Sequence, residues 1–246
     1  MSGTDSQDML SKDLCKLQSW VLLQGIGCII LINAIFTDIN FFATYFPNYN
    51  VEFMLPLMLT VPQVVGQLLA IKYVKKMPLK CSVVGLMSFA ALLAILLPVL
   101  IKLLCTNGKE TLAWCLTVII TIYFGLFMAI TNSALTGFVS LFPEDKTHLM
   151  SIFMLGCSLN SLLVLALQIV TLLCFETTDK GIFGQSMLYF GVTALILIVT
   201  AGVFLLTLRH PYVNFVINTA KEAYSGDADD LDDTREADKN EVVSWS

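Results

Sequence analysis

The stretch that decides the fold is residues 111–142, TLAWCLTVIITIYFGLFMAITNSALTGFVSLF, which contains no charged residue and no histidine. Similar uncharged apolar runs lie at residues 20–36, 53–71, 81–101, 149–173 and 182–208. A helix needs about 20 apolar residues to cross a hydrocarbon layer of about 30 Å. The runs are continuous and do not alternate, which disfavours membrane-spanning strands. The sequence therefore predicts an all-α polytopic membrane protein with six transmembrane helices.

Composition divides the chain into three regions. Only 13% of the residues are charged, against about 25% in soluble domains. The net charge of −5 comes from residues 225–246, which carry eight Asp and Glu. We expect a cytoplasmic N-terminal segment at 1–19, a six-helix transmembrane bundle at 20–208 and an acidic, largely disordered tail at 209–246. This charge pattern disfavours nucleic acid as a partner.

The basic residues predict the orientation of the spans. One set of flanks carries Lys12, Lys16, Lys72, Lys75, Lys76, Lys80, Lys146, Arg209 and Lys221. The opposite flanks carry Lys102, Lys109 and Lys180. Because basic residues accumulate on the cytoplasmic side, both termini are expected in the cytoplasm.

The sequence contains no catalytic constellation. His148 and His210 lie in predicted loops without a neighbouring nucleophile or metal ligand, and the seven cysteines have no metal-binding spacing. We therefore expect neither an enzyme nor a cofactor or metal. A disulfide between Cys105 and Cys174, which lie at the same predicted membrane side, stays open. The uncharged runs favour a neutral solute or a scaffold without a solute, since ion-coupled pumps use ionisable groups.

Polar and small residues inside the runs follow helical spacing. They are Asn33, Thr37 and Asn40 in helix 1; Pro56, Thr60, Gln63 and Gln67 in helix 2; Gly125, Ala129, Asn132, Thr136 and Ser140 in helix 4; and Ser151, Ser158, Ser161 and Gln168 in helix 5. Each set shares one helix face. An unpartnered amide in hydrocarbon costs several kcal/mol, so we expect these faces to look inward. Two roles stay open, namely hydrogen bonding between helices and lining a cavity for an uncharged solute.

Several of these stretches are similar to known sequence motifs. Residues 25–33, GIGCIILIN, resemble a GxGxLLPWN signature, although Leu31 and Ile32 replace its Pro-Trp pair. Residues 54–57, MLPL, match a second segment, and residues 134–151 are similar to SLFGLAGLLP…YTAPIMS. In this order they resemble the equilibrative nucleoside transporter family. The resemblance spans nearly the whole chain but only half of the family's fold, and the family's substrate-gripping Asp/Arg pair belongs to a later helix.

The resemblance implies facilitative transport of nucleosides or nucleobases by alternating access. It implies one half of a major-facilitator-like two-bundle fold in the plasma membrane, with a homodimer or a second transporter half as partner. The implied substrate-binding residues are Asn33, Ile32, Met54, Leu57, Asn132 and Thr136. The alternatives are a non-transporting membrane scaffold or regulator derived from a truncated carrier, and a half-size relative of another carrier family.

Overall fold

The structure is a computed structural model that describes residues 3–73, 79–143, 147–175 and 178–219. The helices are α1 (Gly3–Thr37), α2 (Ile39–Tyr45), α3 (Val51–Tyr73), α4 (Leu86–Thr106), α5 (Glu110–Val139), α6 (Leu149–Cys174), α7 (Asp179–Arg209) and α8 (211–219). A π-helical turn at Cys81–Gly85 precedes α4. The described residues contain no strand.

Six helical segments are long and apolar enough to cross a membrane. They are Leu14–Thr37, Val51–Ala70, Cys81–Thr106, Glu110–Val139, Leu149–Cys174 and Lys180–Arg209. They confirm the predicted all-α fold with six membrane-spanning helices, and the protein is an integral membrane protein. The predicted acidic tail beyond residue 219 lies outside the described residues, so its disorder stays a prediction.

The structure differs from the sequence prediction around the first two helices. The helix α1 begins at Gly3, well before the predicted span. The predicted first loop contains α2, whose Phe41 and Phe42 are buried. Aromatic side chains bury large apolar areas, which explains why this short segment packs onto the bundle.

The structure also places Lys102 and the two cysteines whose pairing the sequence left open. Lys102, expected in a loop, lies within α4, and its ammonium group sits 3.7 Å from the centroid of the Phe183 ring. Cys105 and Cys174 are both free. The Cys105 thiol instead donates to the Tyr45 carbonyl oxygen at 3.8 Å.

Glycines set the two closest helix pairings. Gly25 of α1 and Gly156 of α6 face each other, so that a methyl group on either would overlap a backbone carbonyl oxygen of the opposite helix. Gly125 of α5 packs in the same way against the Leu59 carbonyl of α3. Small residues let membrane helices approach closely and gain van der Waals contact. The pairs α1–α6 and α3–α5 form the framework of the bundle.

Different contacts join the helices at the two ends of the bundle. At one end, called the Asp38 end, the Trp114 ring contacts Phe46 and Tyr49, with centroids 5.2 and 4.8 Å apart. At the other end the Gln18 side-chain amide donates to the Thr147 carbonyl at 3.0 Å. Residues 206–219 form a second compact unit, in which Pro211 begins α8, a position that suits proline.

Candidate functional site

Asn132 is the predicted site residue with a defined polar contact to another helix. It lies half-buried on α5, and its Oδ1 accepts a hydrogen bond from the Cys28 thiol of α1 at 3.6 Å. A thiol is a weak donor, so this contact satisfies the amide only in part. The remaining donor and acceptor capacity of Asn132 suits either a solute or water.

The α1 candidates lie nearer the Asp38 end than this contact does. Asn33 is half-buried, and its backbone carbonyl accepts the Thr37 hydroxyl at 2.7 Å. Ile32 is only 8% exposed and therefore packs within the bundle. Cys28, five residues before Asn33 and about 7 Å away along the helix axis, is the α1 partner of Asn132.

Met54, Leu57 and Thr136 occupy other levels of the bundle. Leu57 is 41% exposed, whereas Met54 and Thr136 are half-buried. The Leu59–Gly125 contact aligns α3 with α5 and places Leu57 about 13 Å from the level of Asn132. The six predicted residues thus extend along the bundle and do not form a single ring, and their binding role stays a prediction.

The polar faces of α3 and α6 point out of the bundle. On α3, Thr60 and Gln67 are exposed, and on α6 so are Ser158 and Ser161. The expectation that these faces look inward is therefore wrong for these four side chains, whereas Gln63 and Gln168 are half-buried. The glycine contacts explain the difference, because they turn Gly156 and its neighbours toward α1 and leave the serine face of α6 outside.

The structure buries a carboxyl group, although the sequence predicted no ionisable group inside the bundle. Asp38, one residue past the first span, is 3% exposed, and its Oδ2 accepts a hydrogen bond from the Ser186 hydroxyl of α7. Burial raises the pKa of Asp38 to about 7, although the Ser186 hydrogen bond opposes this shift. The sequence signal was an aspartate between an apolar run and an aromatic segment, and its position outside the run hid it.

Further polar side chains are buried between α1, α6 and α7. The Gln24 side-chain nitrogen donates to the Thr200 carbonyl at 3.2 Å. Within the described residues, Gln24 Oε1, Thr200 Oγ1 and both amide atoms of Asn160 have no hydrogen-bond partner. Such groups are usually satisfied by ordered water, so the bundle interior has polar capacity that apolar packing does not use. Among the described residues no group of three acidic, histidine or cysteine side chains is placed to hold a metal ion.

Comparison with known proteins gives one informative likeness. The chain is 26% identical over 186 residues to equilibrative nucleotide transporter 7 of Arabidopsis thaliana. The match covers 75% of this chain and 43% of that relative, so the chain spans less than half of the relative's length. No protein-family model matches the chain. A likeness of this extent suggests a transporter and agrees with a non-enzymatic role.

Proposed function

We propose that this chain forms one six-helix bundle of a facilitative carrier for nucleosides or nucleobases, which works by alternating access against a second bundle. The observation that carries the proposal is the low burial of α3 and α6, whose exposed surfaces include Thr60, Gln67, Ser158 and Ser161. The likeness to an equilibrative nucleotide transporter supports the class of function.

The outward face of α3 carries two polar side chains among apolar ones. Gln67 and Thr60 are exposed beside Val64 and Leu68, which are also exposed. An amide that faces hydrocarbon without a partner costs several kcal/mol. Gln63 lies within the span Val51–Ala70 and Gln67 lies three residues before its end. These amides are better matched to water or to another protein than to lipid.

A second bundle is the occupant that fits both exposed helices. Only 22% of the α3 span and 17% of the α6 span are buried, against 56% for α1 and α5. The relative is more than twice as long as the matched stretch, which leaves room for another bundle. Transporters with two bundles bind their solutes at midplane between them, where Asn132 and the exposed α3 face would meet the solute.

The side chains favour an uncharged solute. Asn33, Asn132 and Gln63 offer amide donors and acceptors that match the polar edges of a nucleobase or a ribose. The phosphate of a nucleotide is usually bound by Arg or Lys, whereas the ammonium group of Lys102 lies over the Phe183 ring. We place both termini in the cytoplasm and the protein in the plasma membrane, and we propose that the solute gradient alone drives transport.

Uptake into proteoliposomes tests this proposal. The vesicles contain only the purified chain. Radiolabelled adenosine, uridine or adenosine monophosphate is added to the external solution. We expect saturable uptake of the nucleosides that stops at equal concentrations, little uptake of the nucleotide, and a cross-linked dimer in the same vesicles.

The matched variants are Asn132→Leu, which removes the amide, and Asn132→Gln, which keeps it. Loss of uptake in the first and partial retention in the second would support a solute contact. Folded protein that neither transports nor binds adenosine saturably would instead favour a non-transporting scaffold.

A further inference from the structure

Asp38 is a buried acidic residue at the junction of α1 and α2. Its carboxyl is 3% exposed, and Ser186 and Tyr189 of α7 are fully buried. The Ser186 hydroxyl donates to Asp38 Oδ2. The Tyr189 hydroxyl donates to the Val164 carbonyl of α6 at 3.1 Å. This hydrogen bond links α6 to the surroundings of Asp38.

No cation neutralises this carboxyl among the described residues. Tyr189 lies within electrostatic range of Asp38 and is the titratable group that α7 places beside it. On α2 the titratable side chain is Tyr45, which packs on Phe41 with ring centroids 4.9 Å apart. The cysteines of α6 are Cys157, which interacts with Cys28 of α1, and Cys174, which is exposed at the end of the helix.

The cations Lys102 and Lys180 of neighbouring helices lie in other surroundings than Asp38. Lys102 of α4 is held over the Phe183 ring, and Lys180 is exposed in the first turn of α7. Thr171 of α6 accepts a hydrogen bond from Gln185 at 3.3 Å and adds a neutral neighbour. Asp38 is therefore buried beside neutral polar groups and, among the described residues, has no compensating positive charge.

We propose that Asp38 is a reversible proton-binding site and that Ser186 sets its proton affinity. A charged carboxylate that is buried without a cation is strongly disfavoured relative to the neutral acid. The neutral acid can still accept the Ser186 hydroxyl on Oδ2, so protonation preserves the observed contact. The proton comes from water and returns to water, and no other bond forms or breaks.

We expect proton binding to Asp38 to shift the conformation of the Asp38 end. Because burial raises the pKa of Asp38 to about 7, both protonation states are populated around neutral pH. The neutral acid is compatible with the buried position seen in the structure. The charged state favours an arrangement in which the carboxylate contacts water. A ligand that binds one of two arrangements better shifts the population toward it, and here that ligand is the proton. This inference does not depend on the identity of a transported solute.

Infrared difference spectroscopy tests the site without any transport assay. The full chain in lipid nanodiscs is titrated from about pH 5 to about pH 9, and the carbonyl stretch of protonated carboxylic acids is followed. We expect a band that disappears with a midpoint of about 7. Asp38→Asn should remove this band, whereas Glu52→Gln, an exposed carboxyl near the start of α3, should leave it unchanged.

A second variant keeps the carboxyl and probes its partner. Ser186→Ala removes a hydrogen bond that favours the charged form, so we expect the midpoint to rise by about one pH unit. Circular dichroism checks that each variant is folded. A titrating band that persists in Asp38→Asn, a missing band in the wild type, or an unchanged midpoint in folded Ser186→Ala would each overturn the proposal.

Discussion

The packing of α1 on α6 gives the sharpest prediction about the bundle. In Gly156→Ala, the new Cβ would lie 3.1 Å from Gly25 Cα and 3.1 Å from the Leu22 carbonyl carbon, and it would overlap the Leu22 oxygen. Carbon atoms prefer separations of about 3.5–4.0 Å. The contacting atoms belong to backbone, so they cannot rotate away, and the two helices must separate by roughly half an ångström or more.

The expected magnitude follows from two opposing terms. Replacing an interior glycine by alanine favours the helix by about 0.8–1.0 kcal/mol. Overpacking a filled interface costs about 1–3 kcal/mol. The matched control is Gly191→Ala in α7, where an added Cβ meets no atom within 4 Å. Because the helix-propensity term is common to both variants, their difference in unfolding free energy measures the packing cost, about 1–3 kcal/mol.

Thermal unfolding of the purified chain in detergent provides the assay. For a chain of this size, 1 kcal/mol corresponds to about 2–4 °C in Tm, so Gly156→Ala should melt about 2–12 °C below Gly191→Ala. Equal melting temperatures for the two variants would refute the close α1–α6 contact.

Three further outcomes are expected. The free energy of unfolding should depend on pH through Asp38, whose folded-state pKa of about 7 exceeds the unfolded value of about 3.9. This stabilisation is fully present below about pH 3.9 and is lost as the pH rises to about 7, at most about 4 kcal/mol in all; pH-dependent melting of Asp38→Asn should show a flatter profile. Gln67→Leu should change the free energy of unfolding by less than about 0.5 kcal/mol yet reduce uptake, whereas Leu68→Ala, at an adjacent exposed position, should leave uptake unchanged. Equal uptake by both variants would argue against a functional role of Gln67. Gly125→Ala should destabilise the chain because its Cβ would overlap the Leu59 carbonyl oxygen, and Gly137→Ala, with open space around it, serves as its control in the same melting experiment.

The six spans could be predicted because they depend on local composition. A run without charge that is long enough to cross a bilayer marks a helix regardless of its neighbours, and the span Leu149–Cys174 differs from the predicted run by a single residue. The helix α2 was missed because the segment Ile39–Tyr45 is short and its aromatic residues signal burial only once a surface exists to receive them.

The candidate site was less predictable for the same reason. Helical spacing correctly grouped Thr60, Gln63 and Gln67 on one side of α3, but spacing cannot say which side faces the bundle. Asn132 meets Cys28, which lies 104 positions away in the chain. Ser186, the partner of Asp38, lies 148 positions away in the chain, and the local sequence does not predict this contact.

Local sequence thus dictates the six long apolar spans and their place in a membrane, because apolar length and the absence of charge act residue by residue. Which faces are buried, and which polar groups meet, is decided by tertiary structure alone. The physical reason is that backbone approach at Gly25, Gly125 and Gly156 sets the rotation of α1, α5 and α6 about their axes. Tertiary packing likewise brings Asp38 against Ser186 and leaves Thr60 and Gln67 of α3 exposed.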